Sequence, residues 1–88
     1  MSSSADRAEI VSRVRGVLQW VLNDSIRTWS IDRPLSDAPV NYDSVTRVET
    51  VAAIEEEFGL SVEAVTPEDL TSISTMADLV ARARRSGD

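Results

Sequence analysis

The chain of 88 residues contains no cysteine, no histidine and no lysine, and only 5% of its residues are aromatic. Without cysteine, disulfides, thiolate nucleophiles and the common zinc sites are excluded, and without histidine the usual general base near neutral pH is missing. A chain this short forms one domain with little interior for an enclosed active site. We therefore expect a protein that is not itself an enzyme.

Positive charge is also scarce. Nine arginines stand against fifteen acidic residues, which gives a formal net charge of -6. This balance disfavours nucleic acids and anionic membranes as partners and favours proteins with basic surfaces. No apolar run approaches the ~20 residues that span a bilayer, and the N-terminus does not resemble a secretory signal. We expect a cytoplasmic protein, monomeric, with neither a nucleic acid nor a membrane as its partner.

Three stretches with helical spacing of apolar residues predict an all-α fold. The first predicted helix covers residues 6 to about 22, the second begins at Asp43 and ends at Phe58, and the last begins at Thr75. Asp43 can cap the second helix, and Gly59 suits the left-handed position after its last turn. A long loop, residues 23–43, joins the first two helices. Four apolar residues are expected to hold this loop against the core: Trp29, Ile31, Leu35 and Val40.

A short helix is predicted before the last one. Thr66 is its cap, Pro67 occupies the first helical position, and Asp69 nearly completes a capping box, so that the helix ends at about Leu70. Thr75 repeats the capping pattern at the start of the last helix.

Apolar residues of the second helix predict which of its faces is buried. Ile54 is expected at the edge of this face, and Glu55 falls within it without an explanation from the pattern. Trp20 and Trp29 are interpreted as packing anchors. The residues expected on the buried face are Val45, Val48, Val51, Ala52 and Phe58.

The segment Tyr42-Asp43-Ser44-Val45, at the start of a helix that follows a long loop, resembles the modification site of acyl carrier and peptidyl carrier proteins. The family motif is usually Asp-Ser-Leu, so Val45 replaces a leucine. Asn41-Tyr42 stands where many members have Leu-Gly. The resemblance covers residues 6–85 and implies a four-helix bundle of acyl-carrier type, with a long first loop and a short third helix. Residues 1–5 are then a disordered N-terminus and 86–88 a C-terminal tail.

The resemblance implies that Ser44 bears a 4′-phosphopantetheine arm, transferred from coenzyme A by a phosphopantetheinyl transferase. Asp43 would cap the helix and help this transferase to engage. For an Asp-Ser pair in an arbitrary sequence a simple helix cap is the more common interpretation, and the surrounding layout is what favours modification. The second helix would be the surface that partner enzymes recognise. The residues predicted for that surface are Val45, Arg47, Glu49, Glu55 and Glu56.

The function implied is that of a free-standing carrier. It would hold acyl or aminoacyl groups as thioesters for loading and processing enzymes, in polyketide, nonribosomal peptide or related specialised biosynthesis. An alternative is a carrier-like helical interaction module that is never modified, which Asn41-Tyr42 and Arg47 would favour. A small DNA-binding domain fits poorly with the net charge of -6.

Overall fold

The structure, a computed structural model, describes residues 4–86, and three α-helices form its framework. They are α1 (Ser4–Val21), α2 (Ser44–Phe58) and α3 (Ile73–Ser86). Short 3₁₀ helices lie at Asp24–Thr28, Leu35–Asp37 and Pro67–Leu70. Residues 4–86 contain no strand. The predicted all-α class is confirmed. The predicted short third helix is the 3₁₀ turn Pro67–Leu70, so the described range holds three α-helices and not four.

The predicted ends of the domain fall largely outside the described residues. Residues 1–3 and 87–88 belong to the expected disordered N-terminus and C-terminal tail, whereas α1 already begins at Ser4 and α3 continues to Ser86. Within residues 4–86, no helix has the length and apolar character needed to cross a membrane.

The core forms where α1 packs against both other helices. Ile10, Val14 and Leu18 of α1 are buried, as the helical spacing predicts, because residues three and four apart share one face. Ile26, from the first 3₁₀ helix, is also completely buried, although no periodic pattern marks it in the sequence. Leu79 and Val80 contribute from α3.

The long loop is fixed by hydrogen bonds as well as by apolar contacts. The Arg15 guanidinium donates to the carbonyl oxygens of Ile26, Arg27 and Trp29, which lie at the end of the first 3₁₀ helix. Farther on, the Leu35 N–H donates to the carbonyl oxygen of Thr71 at 2.8 Å. The loop is therefore an ordered layer that links α1 to the beginning of α3.

The ends of α2 are as predicted, but its buried face is not. Thr50 and Ile54 are the buried residues of α2, whereas Val45 is 66% and Val48 69% exposed. Ala52 is exposed as well, so the prediction was wrong for three of its five positions. Most sides of α2 carry small or branched apolar residues of its own. The pattern alone therefore could not identify the side on which α1 packs. Thr50 tolerates burial because its hydroxyl donates to the Thr46 carbonyl oxygen at 2.8 Å.

Two further expectations are corrected. The helix α3 begins at Ile73 and not at Thr75, because Ser72 and Thr75 bond reciprocally: each backbone N–H donates to the other residue's hydroxyl, at 2.9 and 3.2 Å. Trp20 is not a packing anchor, since it is 83% exposed. Trp29 is half-buried, and its indole N–H donates to the carbonyl oxygen of Arg33.

Candidate functional site

Ser44 is the first residue of α2, and its side chain is exposed. Among residues 4–86, no group forms a hydrogen bond with its hydroxyl or with the backbone N–H groups of Ser44 and Val45. The N-terminus of a helix carries partial positive charge, so these N–H groups face solvent as donors for an anion. The site thus combines a reachable hydroxyl with a local environment that suits a phosphodiester.

Asp43 caps α2, as the sequence predicts. Its Oδ1 atom accepts from the Thr46 N–H at 2.9 Å and from the Thr46 hydroxyl at 2.9 Å. The Asn41 amide donates to Oδ2 at 3.3 Å. The hydrogen bond from the Thr46 backbone N–H is the largest cause that lowers the pKa of Asp43 below its usual value. The carboxylate is therefore ionised near neutral pH and is already engaged in holding the first turn of α2.

Tyr42, two residues before Ser44, is a structural anchor. Its hydroxyl donates to the carbonyl oxygen of Leu70 at 2.6 Å, across to the 3₁₀ turn that precedes α3. Burial raises the pKa of Tyr42 to about 12, while the Arg47 charge acts in the opposite direction. The departure from the common Leu-Gly pair thus creates a contact that fixes the chain just before the serine.

Arg47 packs on Tyr42 and does not extend freely into solvent. Its guanidinium carbon lies 5.1 Å from the centre of the Tyr42 ring. The Arg47 Nε atom is buried and has no hydrogen-bond acceptor among the residues that the structure describes. Arg47 is therefore a half-buried residue whose charge is held against an aromatic ring, one turn after Ser44 on α2.

The predicted acidic surface of α2 divides into two parts. Glu49 and Glu56 are exposed and form no ion pair within residues 4–86. Glu55 is half-buried, and its Oε2 atom accepts from the Val62 backbone N–H at 2.9 Å, which explains a glutamate on a partly apolar face. Glu57 pairs with Arg13 at 3.0 Å. Free acidic charge on α2 is thus concentrated at Glu49 and Glu56.

An apolar surface lies beside Ser44. Its residues were predicted from the sequence pattern to belong to the core. It consists of the exposed side chains of Val45 and Val48, together with Ala52 one turn farther along α2. Val48 and Ala52 border a shallow cleft of about 380 Å³ whose opposite side includes Val65 and Leu70. The high exposure of the two valines could not be predicted from the spacing of apolar residues, because the same spacing is typical of a buried helix face.

The surroundings of the Ser44 hydroxyl bear on how it could react. Histidine, lysine and cysteine are absent from the sequence, and the carboxylate of Asp43 is already hydrogen-bonded to Thr46 and Asn41. A serine without a neighbouring base is a poor nucleophile at neutral pH. Within residues 4–86, the arrangement presents an exposed hydroxyl that no side-chain base contacts.

Residues 8–82 match the family described as phosphopantetheine attachment site. This range includes all of α2, the long loop before it and most of α1 and α3. Neither the curated proteins nor the solved structures that were compared with the chain gave a match.

Proposed function

Because the chain belongs to the phosphopantetheine attachment family, whose members bind 4′-phosphopantetheine covalently, we propose that Ser44 is the residue that bears this group. We propose further that the protein carries acyl or aminoacyl groups between the enzymes of a specialised biosynthetic pathway. Bound at Ser44, the arm would supply a thiol that holds the carried group as a thioester, a chemistry that this cysteine-free chain lacks.

The observation that carries the proposal is the position of Ser44 at the start of α2, with its hydroxyl and the neighbouring N–H groups free of partners within residues 4–86. Exposure lets a transferase reach the hydroxyl. The N–H groups of Ser44 and Val45 would hold the phosphodiester at the positive end of the helix. Asp43 supports this site by fixing the first turn, and its exposed carboxylate would help to orient the transferase.

Recognition by partner enzymes would use the exposed part of α2. Glu49 and Glu56 provide negative charge that has no ion pair within residues 4–86, and such charge speeds association with basic surfaces and orients the encounter. Val45 and Val48 provide apolar area beside the serine that a partner can bury. We assign the partner surface to these four residues and give Glu55 a structural role, since its carboxylate is bonded to Val62.

Two sequence features favour specialised biosynthesis over fatty-acid synthesis. They are the segment Thr66-Pro67-Glu68-Asp69-Leu70 and the absence of lysine. The identity of the flanking genes would test this part of the proposal independently of the attachment site. Genes for polyketide or peptide assembly enzymes support it, and an exclusively fatty-acid gene set contradicts it.

The attachment site is tested by incubating the protein with coenzyme A and a broad-specificity phosphopantetheinyl transferase, followed by intact-mass measurement. We expect a gain of one phosphopantetheinyl group in the wild type and no gain in Ser44→Ala. Ser61→Ala, which removes another exposed serine, is the matched control and should load normally. An unmodified wild type, or a mass gain that persists in Ser44→Ala, would contradict the proposal.

The residues that would favour an unmodified interaction module, Asn41-Tyr42 and Arg47, have structural contacts of their own. Tyr42 is accounted for by its hydrogen bond to Leu70 and Arg47 by its contact with the Tyr42 ring. Asn41 donates to Asp43, the cap of α2. These contacts support our preference for the carrier function, and the mass measurement on Ser44 decides between the two.

A further inference from the structure

The indole ring of Trp20, near the end of α1, is 83% exposed, more than any other large hydrophobic side chain that the structure describes. A ring of this size contributes strongly to binding when it is buried, because much apolar area leaves water. Trp20 has no such burial in the isolated domain. Its exposure identifies α1 as a second surface to consider, separate from the start of α2.

Trp20 borders a cleft of about 390 Å³ between α1 and α2. Gly16, one turn earlier on α1, leaves open space beside the ring, since nothing lies within 4 Å of the place where a Cβ would stand. Val17 and Ala53 complete the apolar part of the lining. Because these residues are small or compact, the cleft has room for an extended side chain lying along the indole.

The charge at this cleft is negative. Glu56 lines it, is exposed, and makes no hydrogen bond or ion pair within residues 4–86. Arg13 also lines the cleft, but its guanidinium already contacts Glu57 at 3.0 Å and Glu9 at 3.9 Å. The carboxylate of Glu56 is therefore the charge at the cleft that has no internal partner.

Trp20 and Glu56 line the same cleft, and an aromatic ring together with an exposed carboxylate suits a guanidinium group, which stacks on rings and donates to carboxylates in a planar geometry. The same chain shows this stacking at another place, where the Arg33 guanidinium lies 4.5 Å from the Trp29 ring centre. We propose that the cleft formed by Gly16, Trp20, Ala53 and Glu56 receives an arginine side chain of a partner protein. The net charge of -6 favours partners that present such a side chain.

The cleft is formed by the second halves of α1 and α2, since its lining extends from Arg13 to Trp20 on α1 and from Ala53 to Glu57 on α2. It is therefore a surface separate from the start of α2, where Ser44 lies. This inference rests on the proposed function only for the kind of partner, an enzyme that acts on the carried group.

The test is a titration of the ¹⁵N-labelled full chain, without the arm, with N-acetyl-arginine amide. We expect a saturable shift of the Trp20 indole N–H signal, while the signal of Trp29, already bonded to Arg33, stays in place. Trp20→Phe assigns the two signals. N-acetyl-citrulline amide, which has nearly the same shape without the charge, should bind several-fold more weakly.

Matched charge variants identify the carboxylate that matters. Glu56→Gln should raise the dissociation constant about two- to fivefold, the range for an exposed ion pair. Glu63→Gln makes the same charge change at an exposed glutamate that lines a different cleft, and it should leave the constant unchanged.

Four results would overturn the inference: no saturable shift, equal binding of the citrulline compound, equal weakening by both variants, or dimerisation in sedimentation that Trp20→Ala abolishes. The last would make a second copy of the chain the occupant. Loading of Ser44 is measured separately, so the two proposals can fail independently. A protein that loads but does not bind the arginine compound contradicts this inference alone, and the reverse result contradicts the proposed function alone.

Discussion

The hydroxyl of Tyr42 donates a hydrogen bond of 2.6 Å to the backbone carbonyl oxygen of Leu70. The two residues are 28 positions apart in the chain, one just before α2 and the other at the end of the 3₁₀ turn before α3. Since Ser44 follows Tyr42 by two residues, this bond fixes the approach to the serine against the 3₁₀ turn Pro67–Leu70. Two adjacent residues thus hold the segment before Ser44, Tyr42 through Leu70 and Asp43 through Thr46.

Stability should fall at high pH because of Tyr42. Its pKa is about 12 in the folded protein and near 10 in the unfolded chain, so the unfolded state releases the proton first. The contribution is fully present below about pH 10 and is lost as pH rises toward 12, to the extent of about 2 kcal/mol. Because the chain has one tyrosine and no lysine, cysteine or histidine, no other side chain titrates in this window.

Chemical denaturation at several pH values between 9 and about 12 measures this effect. Tyr42→Phe should lose about 1 kcal/mol at neutral pH, through the missing hydrogen bond, and should show a nearly flat profile over the same range. An equally steep decline in the variant would show that Tyr42 is not the group responsible.

Removal of the cap at Asp43 should lower the melting temperature. Asp43→Ala leaves the Thr46 N–H without its acceptor, whereas Asp43→Asn keeps a side-chain oxygen in place. Because the pKa of Asp43 is lowered in the folded state, its contribution is present above the unfolded value and is lost as pH falls. Calorimetry at neutral and acidic pH should show a smaller acid-induced decrease for Asp43→Ala than for the wild type. Equal decreases would assign the acid sensitivity to other carboxylates.

The buried face of α2 differs from the face that the sequence predicts, so two similar residues should have very different effects on stability. Ile54 is completely buried, so Ile54→Ala should destabilise the protein by about 2–5 kcal/mol. Val48 is 69% exposed, and Val48→Ala should change the stability by less than about 0.5 kcal/mol. Denaturant titration of both variants decides between this packing and the sequence-based assignment, which would make Val48 the costly position.

Glu55 should matter for stability, unlike the exposed glutamates of the same helix. Glu55→Ala removes the acceptor of the Val62 N–H and should cost about 1 kcal/mol in unfolding free energy. Glu55→Gln, which retains an oxygen acceptor, should recover part of this loss. Glu49→Ala is the control, since Glu49 is exposed and has no ion pair within the described residues. Comparable losses in Glu55→Ala and Glu49→Ala would argue against the contact.

Features determined by neighbouring residues were predictable from the sequence. The Asp43 cap, the Gly59 end of α2 at a φ of 64° and the Thr66–Asp69 capping box all follow from local backbone chemistry. Ser44 could be singled out because a short motif stood at the start of such a helix.

Features determined by tertiary packing were not predictable in the same way. The valines of α2 fit several faces, and only the packing of α1 selects the one with Ile54. The exposure of Trp20 contradicts the usual preference of indole for the interior. Glu55 reaches Val62 beyond the end of its own helix, a contact that helical periodicity does not encode.

Localisation of the modification tests the central claim most directly. The loaded wild-type protein contains twelve serines, and digestion at arginine with fragmentation of the peptides by mass spectrometry separates Ser44 from Ser36 and Ser30 on the same stretch. We expect a single phosphopantetheinyl group, on Ser44, in every loaded molecule. A group found on any other serine, or a wild-type chain that a competent transferase leaves unmodified, would contradict it.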